Sequence, residues 1–198
     1  MSQAARLFIA AALAAMVTFP AHAGKLVNNG SFEKPVVPDG GFQLINAGSQ
    51  FGGWTVVGTG NIAIFSGEYA EGGFTFPAVK GAQWLDLTGN VNSASGIEQT
   101  IDTEPGTLYT LTFYVGNIHD PDGGLGTTST VDVLIDGEAF ASFTNKAGKG
   151  ETSQKWKKFS TDFVAATSKT TITFMNGDAP DDAENGLDGV TAKPAGAP

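Results

Sequence analysis

The sequence predicts an all-β fold, a β-sandwich or barrel in one domain, and three observations carry that expectation. Glycine (27) and proline (9) are plentiful and only 16% of the 198 residues are charged, a composition suited to short strands joined by tight turns. Runs of alternating apolar and polar residues return about every ten residues. No internal repeat, heptad or useful helical period interrupts them. A hydrophobic content of 41% over this length supports one substantial core.

The first 23 residues stand apart from that pattern. Arg6 precedes an apolar run from Leu7 to Phe19, followed by Pro20 and the small-x-small triplet Ala21-His22-Ala23. This is the pattern of a signal peptide cleaved after Ala23, and the run falls short of the roughly 20 residues that span a bilayer. The expectation is a secreted protein, extracellular or periplasmic, with a domain over residues 24–192 and a disordered tail over 193–198. Loss of the leader moves the formal charge from −9 to −10. Such acidity argues against nucleic acid and against anionic membrane surfaces, and tolerates neutral polysaccharide and divalent cations. With no cysteine there is neither a disulfide nor a thiolate metal site.

From Lys25 the chain reads as an edge strand and then a loop through Pro35, Pro38 and Gly40-Gly41. Phe51–Thr59 and Asn61–Phe65 are candidate strands. Ser66–Lys80 is a long aromatic, glycine-rich loop, of the kind that is usually functional or lid-like. In GAQWLDL, Gln83, Leu85 and Leu87 alternate with Trp84, Asp86 and Thr88, so leucines facing a core leave Trp84 and Asp86 on the other side. Gly96–Asp102 is a further strand with Ile97, Gln99 and Ile101 on one face.

The clearest strand signal follows the Pro105-Gly106 turn, in GTLYTLTFYVGN. Tyr109, Leu111, Phe113 and Val115 share one face, and Thr110, Thr112 and Tyr114 the other. Tyr114 is a large aromatic on an otherwise polar face. It suits a stackable ligand such as a sugar ring, and a covering loop or second layer would account for it equally well. Beyond the HDPDGGLGTTS loop, Ser129–Ile135 alternates into the Asp136-Gly137 hairpin signal and EAFASF. Lys146–Gln154 is a loop, Trp156–Val164 and Thr170–Asn176 are strands, an acidic loop leads to LDGVTA, and Ala195–Pro198 is a frayed end.

NGSFE (29–33), the Phe76–Leu87 segment, GIEQTI, YTLTFYV and LDGV (187–190) occur in an order that resembles the galactose-binding-like jelly roll of carbohydrate-binding modules. More closely, they resemble the DUF642 family of secreted, cell-wall-associated proteins, from about Leu26 to Val190. The resemblance implies a non-catalytic jelly roll with its first and last strands side by side. It also implies a structural calcium between Glu33 and Asp188, a pair whose mutual repulsion a cation would offset if enough oxygens completed its shell. The alternative is that both are surface acids at strand ends.

Other acidic runs are weaker. Asp120-Pro121-Asp122-Gly123 is too short for an EF-hand, and Asp178, Asp181, Asp182 and Glu184 read as a solvated loop. For catalysis the inventory is poor: after export His119 is the one histidine, and there is no G-x-S-x-G elbow. Asp86 and Glu98 are the pair a glycosidase would need, if they met. The expected function is therefore glycan binding without catalysis, through Trp84, Asp86, Tyr114 and Asn117. A structural or adhesive surface protein is the alternative from another class.

Overall fold

A computed structural model describes residues 25–90, 94–120, 124–178 and 184–197. The leader and the residues Pro121, Asp122, Gly123, Asp181 and Asp182 named above lie outside them. In chain order the strands are β1 Phe42–Asn46, β2 Gln50–Phe51, β3 Trp54–Gly58, β4 Asn61–Ser66, β5 Ala70–Glu71, β6 Phe74–Thr75 and β7 Gln83–Asp86. They continue with β8 Ser95–Asp102, β9 Leu108–Asn117, β10 Ser129–Ile135, β11 Glu138–Asn145, β12 Lys155–Val164, β13 Lys169–Asn176 and β14 Gly186–Pro194.

Two six-stranded sheets pack face to face, the first ordered β1-β4-β7-β14-β9-β12 and the second β11-β10-β13-β8-β3-β2. A small hairpin, β5-β6, stands outside both. Every pairing within the sheets is antiparallel. The expected all-β sandwich is what forms, because the central strands β8, β9 and β10 bury alternate residues. In β9 Tyr109, Leu111, Phe113 and Val115 enter the core, where the ring of Phe113 meets Phe174 from the second sheet with centroids 5.1 Å apart. Asp136 and Gly137 both take positive φ (52° and 83°), the backbone of the tight hairpin their sequence announces.

Three expectations change. Residues 25–41 form turns with no strand, and one backbone bond, from Val190 N to Gly30 O at 2.7 Å, ties them beside β14. The first strand is instead Phe42–Asn46, with only Ile45 buried, so its pattern carries little alternation to read. Nor is the described part of the expected tail, 193–197, without structure. β14 continues to Pro194, and Ala195 N donates to Leu108 O at 2.8 Å.

A bulge between Asp188 and Thr191 positions the site. The extra residue, with Gly189 at φ 61°, lets Leu187, Val190 and Ala192 all face the core although their spacing breaks strict alternation. Asp188 is thereby left on the outer face of the first sheet, between Trp84 on one side and Tyr114 on the other.

Candidate functional site

The outer face of the first sheet carries a second apolar layer. Leu85 and Leu87 enter the main core, and Trp84 points the opposite way into a cluster with Phe76 and Ile118, against which Phe65, Tyr69, Phe74, Leu125 and Trp156 pack. Trp84 stacks on Phe65 with centroids 4.9 Å apart and planes 14° off parallel, and meets Trp156 edge-on at 6.0 Å. Trp84 is only 1% exposed, so it is a floor and not an open platform. Trp156 reaches it by lying over two glycines: a methyl group at Gly116 or Gly186 would come within 3.0 or 3.1 Å of its ring.

The loop 66–80 supplies the cover, and side chains of the sheet, with Glu33 from the 25–41 turns, hold it and the turn after it by the backbone. Trp84 Nε1 donates to Phe76 O at 2.9 Å and Trp156 Nε1 to Pro77 O at 2.7 Å. Asp188 Oδ2 accepts from Val79 N at 3.0 Å and Lys80 N at 2.8 Å. Glu33 Oε1 accepts from Ala82 N at 3.0 Å and Gln83 N at 3.1 Å. Indoles thus take the loop's carbonyls and carboxylates its amides, from Phe76 to Gln83.

Glu33 and Asp188, expected to share a calcium, are therefore brought to one turn from its two sides. Asp188 also accepts from Gly189 N at 2.6 Å, so both its oxygens face backbone amides. Calcium takes six to eight oxygens. Among the described residues no group of three or more His, Cys, Asp or Glu side chains could hold a metal. N–H groups aimed at the carboxylates are a donor set for anions, and the pair does not fit calcium. Burial, together with the nearby Glu33 charge and against its three amide bonds, raises the Asp188 carboxyl to about 7.

Under the loop lies a pocket of about 460 Å³. Its apolar wall is Phe42, Phe65, Tyr69, Phe74, Phe76 and Trp84, and its polar groups include Glu71, Asp86, Asn90, Asp120 and Glu184. Asp86 is buried in the floor, its Oδ1 accepting from Thr88 N at 3.0 Å and Asn185 N at 3.1 Å, and both oxygens from Thr88 Oγ1 at 2.8 Å. Burial outweighs those bonds and lifts its carboxyl to about 6. Glu184, also buried, accepts from Ile118 N at 3.0 Å. Tyr69 donates its hydroxyl to Glu71 at 2.5 Å, and burial with that carboxylate raises the phenol to about 12.

Of the four residues expected to bind a ligand, the structure brings Trp84 and Asp86 to this pocket. Tyr114 is on the same face but beyond β14, half-buried, with Lys80 Nζ 5.6 Å from its ring centre. The two strands that looked adjacent are thus separated by the last strand of the chain. Asn117 is fully buried and structural: its amide donates to Ile118 O at 2.9 Å and Ser129 Oγ at 3.1 Å, and its carbonyl accepts from Gly148 N at 2.9 Å. Glu98 does not meet Asp86. It lies on β8, in the other sheet, where it faces away from the core that Ile97 and Ile101 enter. The residues that sequence reasoning missed are Phe42, Phe65, Tyr69, Phe74 and Phe76; the aromatic density of 65–76 was the one signal for the last four, and Phe42 had none.

The model of a family described as "Protein of unknown function (DUF642)" matches residues 25–191. Comparison with curated proteins returns no match. Among solved structures, a cyclase from Fischerella sp. TAU in complex with 4-(1H-indol-3-yl)butan-2-one is similar with a TM-score of 0.59, at 21% identity over 88% of this chain and 100% of that one. A xylan-binding domain of carbohydrate-binding module family 22 is similar with a TM-score of 0.55, at 17% identity over 89% of this chain and 99% of that one. The C-terminal family 22 module of Clostridium thermocellum Xyn10B has a TM-score of 0.54, at 17% identity over 89% and 98%. The fold is the jelly roll of such modules.

Proposed function

This chain belongs to the DUF642 family, and from that premise we propose that it is an exported, non-catalytic domain that binds polysaccharide in the pocket beneath its 66–80 loop. The observation that carries the reading is the pocket itself: six aromatic side chains around a volume of about 460 Å³, with carboxyl and amide groups converging on the same space. Aromatic faces match the C–H faces of a sugar ring, and carboxylates and Asn90 accept or donate to its hydroxyls. Phe42 and Leu44, 47% and 37% exposed on the edge strand β1, extend the apolar wall outward, which suits a ligand longer than one ring. The xylan-binding domain of like fold supports the ligand class, and the leader pattern supports export.

A glycan array with the chain from Gly24 onward, followed by titration calorimetry of the best polysaccharide, tests this. Phe74→Ala removes one wall ring from the outlying hairpin and is expected to weaken binding by about 0.5–1.5 kcal/mol, roughly two- to twelve-fold. A blank array, or binding indifferent to Phe74, would refute the proposal.

One observation favours a second reading, a small-molecule enzyme. A carboxyl lifted to about 6 on the floor of an aromatic pocket is poised as a general acid, and one protein of like fold is a cyclase. Chromatography of the bound ligand after long incubation separates the two readings. Recovery of unchanged ligand supports binding alone, and a product that Asp86→Asn abolishes supports catalysis.

A further inference from the structure

The pocket's charge is one-sided. Glu71, Asp86, Asp120 and Glu184 line it and, among the described residues, no lysine, arginine or histidine does. A neutral ligand entering that space would strip water from Glu71 and Asp120 and return no charge to any of the four carboxyl groups, and an anionic sugar would add repulsion. A ligand bearing a positive charge meets both faces of the site's chemistry, since aromatic ring faces attract cations and the carboxylates offset its desolvation.

Behind the Glu184 wall, outside the pocket itself, the packing is also polar. Glu184 backs onto Gly186, whose outer side abuts Gly116, and over Gly116 lies the carboxamide of Gln154. Gln154 is 3% exposed and its side-chain nitrogen and oxygen are both without a hydrogen-bond partner, beside the same Trp156 ring that edges Trp84. Gln154 does not line the pocket, and the further bonds open to a hydroxylated ligand, which a simple alkylammonium could not use, are those of Asn90 and the carboxyl groups.

We propose that the pocket selects an amino sugar with a free ammonium group, carried on a glucosamine-type polysaccharide, over neutral and acidic sugars. The proposal rests on the reading of the pocket as a glycan site. In it the rings of Phe65, Tyr69, Phe74 and Trp84 take the sugar's apolar face and the ammonium faces the Asp86, Asp120 and Glu184 side.

The test is titration calorimetry with three oligosaccharides of equal length, built from glucosamine, N-acetylglucosamine or glucose, in 0.15 M salt, where the Debye length of about 8 Å suppresses the protein's general acidity. The glucosamine oligomer is expected to bind at least tenfold more tightly than either neutral one. Glu71→Gln, at the exposed rim, should cut that preference two- to fivefold, and Asp86→Asn, which retains the shape, more. Glu138→Gln on the distant β10–β11 hairpin is the control for net charge and should change nothing. Equal or weaker binding of the glucosamine oligomer overturns this inference and leaves the glycan reading standing, whereas binding of none overturns both. Cyclohexylamine, a ring amine without hydroxyls, should bind at least tenfold more weakly than the glucosamine oligomer; equal binding would remove the sugar from the proposal.

Discussion

The outer face of the first sheet is one surface with two fates. On the β1-β4-β7 side it is roofed, with Phe42, Phe65 and Trp84 under the 66–80 loop and the pocket between them. On the β9-β12 side, beyond Trp156, it is open, and Thr110 donates to Asp162 at 2.7 Å, Thr112 pairs with Ser160 at 3.2 Å, and Tyr114 lies opposite Lys158. Both halves obey the same alternation, since each strand turns aliphatics to the core and other residues away. What differs is the cover, which is set by residues far away in the chain. Parity assigns a side chain to a face, and only the loop's attachment decides whether that face is a solvated surface, a second core or a binding site.

The sharpest way to break the comparison is to remove the floor of the roofed half. Trp84→Ala deletes a fully buried indole that touches Phe65, Phe76 and Trp156 and releases the Phe76 carbonyl. Large aromatic deletions of this kind cost about 3–5 kcal/mol. At about 2–4 °C per kcal/mol for a chain of this size, the melting temperature should fall by about 6–20 °C, with glycan binding lost. A drop below about 3 °C in a scanning calorimeter would show that the indole is a surface platform after all.

Next in size is a pH effect confined to the roofed half. Asp86 has its carboxyl raised from 3.8 to about 6, so the folded state holds a proton that the unfolded chain has released between those values. Stability from this group is therefore fully present below about pH 4 and is lost as pH rises through about 6, a difference of about 2–3 kcal/mol at 1.36 kcal/mol per unit. Asp188, raised to about 7, acts in the same direction over a window reaching higher. Asp86→Asn keeps an oxygen for Thr88 N and Asn185 N and carries no charge, so urea melts of the variant should lack the Asp86 part of the decline between pH 4 and 7. Parallel profiles for variant and wild type would remove Asp86 from the account.

The fold was largely legible because its long strands carry their own evidence: Tyr109 to Val115 alternate, and Asp136-Gly137 is a turn on sight. The site was half legible. Trp84 and Asp86 were placed on the right face by the leucines between them, but nothing local in Tyr114 or Asn117 distinguishes them from binding residues. Tyr114 is separated from the pocket by β14, a strand more than 70 residues later in the chain. Asn117 is consumed by Gly148 and Ser129, partners fixed only when two loops meet. Nor could the sequence show that Glu33 and Asp188 face amides, since that depends on where the end of a long loop comes down.

That attachment gives the next prediction. Asp188→Ala removes the acceptor of Val79 N and Lys80 N and also removes a buried charge, two effects of opposite sign. The net loss is expected to be about 1–2 kcal/mol, a fall of about 2–8 °C. The local effect is the more telling one: hydrogen-exchange protection should disappear at Val79 and Lys80 and persist in β9. Because amides and no metal cage hold the pair, a chelator should leave the wild-type melting temperature unchanged. A chelator-dependent fall would restore the calcium and displace the amide account.

The smallest effect is expected in the open half, and it is the one that tests the comparison itself. Tyr114 is half-buried, its ring packed beside Gly189 and under Lys80 rather than in the aromatic cluster. Replacing it with alanine removes a partly exposed cation–π contact of about 0.5–1 kcal/mol and leaves no sealed cavity, so the melting temperature should fall by no more than about 4 °C. Glycan affinity should stay within about twofold of wild type, since no pocket wall is touched. If Tyr114→Ala instead weakens binding as much as Phe74→Ala does, the ligand crosses β14 and the whole outer face is one binding surface. Lys80, whose stem lies over Gly189 between the two halves, would then be the next residue to change.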